Sequence, residues 1–209
     1  LNAIKIKLFG AIKEAVLKKY TDNPEAYQLY LQGKFYFNKW AGTDIFNKAI
    51  DYFKAAIKIE PEYADAYAGI AKSYSSLWFY NYLPPEKCLP EMKLAKQQLL
   101  RLDDGIAESY LAIGIMKMLY EWDFAAGAIE LKKAIELNPN NAEARVFYAM
   151  CEGFLGNYTD AIKHASIAYS IEPFSLMINF HAAVVYFMAG ESEKELEYGR
   201  RLVELDPNF

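Results

Sequence analysis

Apolar residues return along this chain at intervals of three and four, in stretches that come in pairs. Residues 142–155 and 159–171 are one such pair. Between them Gly156-Asn157 reads as a helix stop followed by a turn. Ala149, Ala161, Ala165 and Ala168 fall where two helices must approach closely, and Tyr148 and Ile162 fill the spaces beside them. Pro173 closes the second stretch, because proline cannot continue a helix but is tolerated in the first turn of the next. The pattern predicts an antiparallel helix pair. Ile4, Ile6 and Leu8 alternate as a strand would, yet Leu1, Ile4 and Leu8 also share a helix face, so a helix is expected near residues 11–20.

The pair is repeated. Ile57–Pro61 reads I-K-I-E-P, Leu100–Asp104 L-R-L-D-D, Ile135–Pro139 I-E-L-N-P, Ser170–Pro173 S-I-E-P and Val203–Pro207 V-E-L-D-P. Pro139, Pro173 and Pro207 lie 34 residues apart, a period that marks a helical repeat array. Five units follow, about 24–61, 62–104, 105–139, 140–173 and 174–207, within an array spanning 23–209. Residues 1–22 are expected to form a helix or linker from a preceding domain, and a chain that starts at Leu1 is expected to be a fragment or a processed form.

Two units are longer than the period. The first has extra residues around Trp40–Ile45. The second has them around Tyr80–Pro90, where Pro84, Pro85 and Pro90 are expected to stiffen an insert and delay the second helix. Insertions in arrays map to one face, so this segment is either a binding loop or a decorated but inert one.

The closing phrase and the residues before it resemble the tetratricopeptide repeat. The first unit matches at Gly33, Tyr36, Ala49, Phe53, Ala56 and Pro61. The third matches at Tyr110, Gly114, Leu131, Ala134 and Pro139, and the fourth at Ala149, Ala161, Ala168 and Pro173. The second matches at Tyr67, Ala71 and Tyr74 but closes on Asp104, and the fourth has Arg145 where a bulky apolar residue is usual. The fifth has Gly199 at the usual aromatic position. The resemblance covers about residues 24–207 and implies an all-α, right-handed superhelical solenoid of helix pairs. Longer phrases, N-P-E-A-Y-Q-L-Y-L-Q-G-K-F-Y-F-N-K at Asn23–Lys39, L-P-P-E at Leu83–Glu86 and E-P-F-S-L-M-I-N at Glu172–Asn179, resemble the C-terminal repeat region of bacterial multidomain signalling proteins. In those proteins the region is joined to a nucleotidyl cyclase, a Ser/Thr kinase or a winged-helix domain, often through a TolB-like segment.

Composition narrows the function. Hydrophobic residues make up 54%, and 17 Tyr, 13 Phe and 3 Trp supply both a core and a groove lining. A net charge of −4 argues against duplex binding, which needs clustered cations. Residues 1–20 hold five Lys and one Glu, a local excess read as a solvated helix face. Cys88 and Cys151 give neither a disulfide framework nor a metal spacing, and no stretch reads as a transmembrane span or signal peptide. A cytoplasmic setting, with no membrane or nucleic-acid partner, is the expectation.

Catalytic chemistry is not legible. His164 and His181 stand apart from any second ligand, and there is no phosphate loop or nucleophile elbow. Neither enzyme activity nor a cofactor is expected. Tyr120–Phe124, Y-E-W-D-F, is read as a turn with Asp123 capping the next helix, or as an aromatic ligand clamp.

In the resembled family the first helix of each unit lines the concave face. Carried over by position, the candidate groove residues are Tyr30, Lys34, Phe37, Asn38 and Lys72 at one end and Leu111, Ile115, Met118, Val146, Met150, Phe180, Val184 and Phe187 at the other. The last eight are expected to form one apolar strip for an amphipathic or extended segment of a protein partner, with Lys34 and Lys72 setting its direction. They could instead pack among themselves in a tightly wound superhelix, and solvent accessibility separates the two. Two function classes stay open: an interaction module regulating an attached effector, and a small-molecule sensor using the aromatic groove and the Pro-rich insert. Pro207-Asn208-Phe209 reads as the start of a further unit, so self-association through an uncapped end is also expected.

Overall fold

A computed structural model describes residues 21, 23–40, 42–102 and 105–207. The expected helix at 11–20 lies outside the described residues. Within them the chain is all α, with no strand. Ten helices form five antiparallel pairs: α1 Pro24–Asn38 with α2 Gly42–Ile59, α3 Ala64–Phe79 with α4 Pro85–Leu102, α5 Ala107–Met116 with α6 Phe124–Leu137, α7 Ala142–Phe154 with α8 Tyr158–Ile171, and α9 Leu176–Met188 with α10 Ser192–Leu205.

The helix ends follow local chemistry. Asn23 caps α1 by accepting from the backbone N–H groups of Glu25 and Ala26, and Pro24 occupies the first helical position. Asp123 and Asn141 cap α6 and α7 in the same way, each accepting at 2.9 Å. Gly156 takes the left-handed conformation (φ 83°) that reverses the chain after α7.

The Pro-rich insert delays the second helix, as expected: α4 starts at Pro85, 24 residues after Pro61, whereas α8 starts 19 residues after Pro139. The extra residues extend α3 to Phe79, lengthen the loop at 80–84 and lengthen α4 at its N-terminal end. Pro85 sits in the first turn, where its missing N–H costs no helical bond, and Pro90 is accommodated within the helix. In the third unit α5 runs into a π-helical turn, Lys117–Glu121, before Trp122 turns left-handed (φ 56°). That turn absorbs the aromatic phrase. Tyr120 packs edge-on against Trp78, and Phe124 stacks on Phe154 at 4.4 Å.

Each first helix packs on both helices of the unit before it. The seam is close. Phe53 of α2 lies against Gly33 of α1 and Gly69 of α3, where a Cβ would come within 2.4 and 2.6 Å of its ring. Small residues are required at such crossings, and Ala149, Ala161, Ala165 and Ala168 are likewise fully buried. The core therefore runs the length of the array, with Trp78 touching both its N- and C-terminal halves.

Candidate functional site

The faces of a first helix can be read by comparing units. In α3, α5, α7 and α9 three residues spaced i, i+4, i+7 are buried: Ala66, Ile70 and Ser73; Ser109, Ile113 and Met116; Ala144, Tyr148 and Cys151; Ile178, Ala182 and Val185. Their counterparts in α1, which has no unit before it among the described residues, are Gln28, Gln32 and Phe35, all exposed. This face is turned to the preceding unit.

The opposite face meets the following unit, and it holds most of the expected groove. Leu111, Ile115 and Met118 of the third unit and Val146 and Met150 of the fourth are at most 4% exposed. The next first helix covers them, so five of the eight apolar candidates are core between units and do not form an open strip. Among the described residues the face is uncovered only in the fifth unit. There Phe180 and Val184 are half-buried and Phe187 is 66% exposed. With Ala183 of α9 and Leu196, Gly199 and Val203 of α10 they line an apolar cleft of about 700 Å³, bordered by Glu195 and Arg200.

The polar candidates are divided too. Tyr30 packs inside, 5.3 Å from Tyr63 and 5.9 Å from Phe53 between ring centroids, and Phe37 is buried against Phe46. Lys34 and Asn38 border a smaller polar cavity of about 160 Å³ that also touches Asn141, Glu172 and Ser175. Lys72 is not free to direct a bound segment. It is buried, with its ammonium 2.7 Å from Glu143 and 3.2 Å from Glu108 and 5.2 Å above the Phe37 ring. Burial opposes the Lys72 charge, but attraction from Glu108 and then Glu143 outweighs it and raises the pKa. Burial raises the Glu108 carboxyl, yet Lys72 brings it below the ordinary range. Glu143 ends above that range through burial and the repulsion of Glu108. The triad ties α3, α5 and α7 together.

The concave side is closed further by aromatic residues that reach across the superhelix. Trp40, left-handed at the end of α1 (φ 48°), meets Phe180 at 5.4 Å and His181 at 5.8 Å. Tyr80, after α3, packs edge-on to Trp40 and bonds His181 Nε2 at 3.2 Å. Because His181 Nδ1 faces the Met177 carbonyl at 2.8 Å, Nδ1 donates, Nε2 accepts, and the Tyr80 hydroxyl is the donor. Burial lowers the His181 pKa to about 4. Tyr80, at the start of the insert, is thus part of the closure of the superhelix. Sequence reasoning missed this clasp because its members lie in three units and share no spacing. Leu196 and Val203, also missed, do have a signal: apolar residues seven apart on an otherwise charged helix.

Among the described residues no group of three His, Cys, Asp or Glu is placed to hold a metal ion. No helix among them is long and apolar enough to cross a membrane. Cys88 and Cys151 are buried free thiols, and burial pushes the Cys151 thiol up to about 12.

A family model described as tetratricopeptide repeat matches residues 152–208. Among solved structures the chain is similar to TTC0263, a thermophilic TPR protein of Thermus thermophilus, at 16% identity over 87% of this chain and 92% of that one, with a TM-score of 0.64. It is also similar to PilW, a widely conserved type IV pilus biogenesis factor, at 16% identity over 88% and 78%, with a TM-score of 0.60. No curated protein sequence matches the chain. The fold is therefore the tetratricopeptide-repeat solenoid.

Proposed function

We propose that this chain is a non-catalytic protein-interaction module that seats an apolar segment of another protein in the cleft between α9 and α10, and that occupancy of the cleft regulates a signalling effector joined to the array. The observation that supports the reading is the cleft itself: Phe180, Val184 and Phe187 occupy the face that every earlier first helix has covered, and here it is open. Contiguous apolar surface of this kind marks an interaction site in a folded protein. The resemblance of Asn23–Lys39 and Glu172–Asn179 to the repeat region of multidomain signalling proteins supports the regulatory half.

A synthetic peptide with the sequence of residues 142–155, itself a first helix, is a suitable probe. In an NMR titration of the full chain, shifts are expected at Phe180, Val184, Phe187, Leu196 and Val203, and Val184→Asp should abolish them. Shifts centred on Lys34 and Asn38 instead, or a Val184→Asp variant that binds normally, would refute the cleft as the docking site.

A further inference from the structure

The cleft between α9 and α10 carries a charge that the interior seams lack. Twelve residues before the closing proline, the second helices of the first, third, fourth and fifth units hold Ala49, Gly127, Ala161 and Glu195. The first three are small and buried. The third unit shows what this place faces: a Cβ added at Gly127 would come within 3.3 Å of Cys151 Sγ, on the first helix of the next unit. Cys151 is the i+7 residue of the face that α7 turns to the unit before it. In the fifth unit the same place holds Glu195, which is half-buried and borders the cleft. No ion pair holds its carboxylate among the described residues, and the neighbouring Lys194 is taken by Glu197 at 2.8 Å. Arg200, the other charged residue at the cleft, is no such departure, because its counterparts Lys54 and Lys132 are exposed cations beside filled seams.

We infer that the partner is an amphipathic α-helix of another protein, docked as the interior first helices are, with uncharged residues at i and i+4 and a Lys or Arg at i+7 that pairs with Glu195. This rests on the docking site proposed above and adds the chemistry of its occupant. Continuity with an established interface and charge complementarity carry the argument. The first helices that fill the interior seams have Ser73, Met116, Cys151 and Val185 at i+7, all uncharged and at most 1% exposed. An uncharged residue suits the alanine or glycine opposite it. Against Glu195 it would cover a carboxylate without supplying a counterion, and a covered lone charge is costly. A cation at i+7 removes that cost, so Glu195 selects its partner helix and rejects a helix of the ordinary repeat kind.

A second copy of this chain does not meet the requirement. Its α1, uncovered among the described residues, presents Gln28, Gln32 and Phe35 at i, i+4 and i+7. Phe35 would lie over the Glu195 carboxylate, and two carboxamides would be buried without partners.

Changes on the two sides of the pair test this. Two peptides of residues 142–155, one with Cys151→Lys and one with Cys151→Met, differ at i+7 in charge but little in length. Each is titrated calorimetrically into the full chain and into its Glu195→Gln variant. Circular dichroism and melting temperature check that the variant folds. The Lys peptide should bind the unaltered chain about three- to tenfold more tightly than the Met peptide. That preference should shrink in about 0.5 M sodium chloride and disappear in Glu195→Gln. Equal affinities for the two peptides, or a Lys preference that survives Glu195→Gln, overturn the inference while leaving the cleft as a docking site. Binding of neither peptide removes both. A dimer in sedimentation equilibrium that Val184→Asp dissociates would make a second copy the occupant and overturn the inference as well.

Discussion

Lys72→Met removes the single ammonium between two carboxylates while keeping the length of the side chain. The Lys72 side chain is 8% exposed, and those of Glu108 and Glu143 are 15% and 16%. Removing one partner of a buried pair costs about 3–5 kcal/mol, because the charge left behind has neither water nor a counterion. For a protein of this size each kcal/mol moves Tm by about 2–4 °C, so a drop of about 6–20 °C is expected near pH 8. The effect should depend on pH in a definite direction. Lys72 now holds Glu108 below the ordinary carboxylate range. Without it both carboxyls rise above their unfolded values, and the folded state binds more protons than the unfolded state over the interval between. Stability then falls as pH rises through that interval, so the variant should be closest to the parent near pH 4–5 and furthest from it at pH 8. Thermal melts followed by circular dichroism at four or five pH values measure this. Glu108→Gln and Glu143→Gln, added to Lys72→Met, should recover most of the loss. If Lys72→Met melts within about 1 °C of the parent at pH 8, with no steeper pH dependence, the triad does not bear on stability and its geometry has been misread.

Two further outcomes are expected at the clasp. His181 is held neutral with a pKa near 4 against 6.5 for the free side chain, so its contribution is present above pH 6.5 and is lost as pH falls towards 4, about 3 kcal/mol in all; urea unfolding of His181→Gln should show a flatter acid limb than the parent. Trp40→Ala removes the ring that covers His181 and Phe180, so by NMR the His181 pKa should climb towards 6.5 with a stability loss of about 3 kcal/mol or less; an unchanged titration would show that the clasp does not shield this histidine.

The helix pairs were legible because their signals are local. Asn141 at a cap, Gly156 at a stop and the proline of the closing phrase each act through a few neighbouring backbone groups, and the 34-residue spacing only repeats them. The small residues at crossings were legible for the same reason, since Ala149 and Ala168 recur in register with the period. The site was not legible to the same extent. Leu111, Val146 and Phe180 are equivalent by position, yet the first two are buried and the third is half-open. What separates them is whether another first helix among the described residues packs over them, and periodicity contains no such term. Lys72 was read as a groove cation because its two carboxylates lie 36 and 71 residues away. Trp40 and Tyr80 could not be placed against His181 from sequence, since the curvature that brings them together is the sum of small rotations at every seam.

That equivalence of position has a consequence for how such an array acquires a partner. Interior seams and the cleft between α9 and α10 are one surface, built from the same places on the first and second helices, so a binding site there would need no residues beyond those the fold already requires. Specificity must then come from departures within the pattern. Here one departure is the side chain that wedges the seam, from Phe53 and Leu131 through Ala165 to Gly199. In the first seam the residue beneath the wedge is Gly69, and the equivalent places in the next three first helices hold Ala112, Phe147 and His181, so the bulk that a first helix brings to the wedge differs from unit to unit. A helix docked in the cleft that fills the space beside Gly199 would gain the dispersion contacts that make the interior seams close, and one that leaves it empty would lose them.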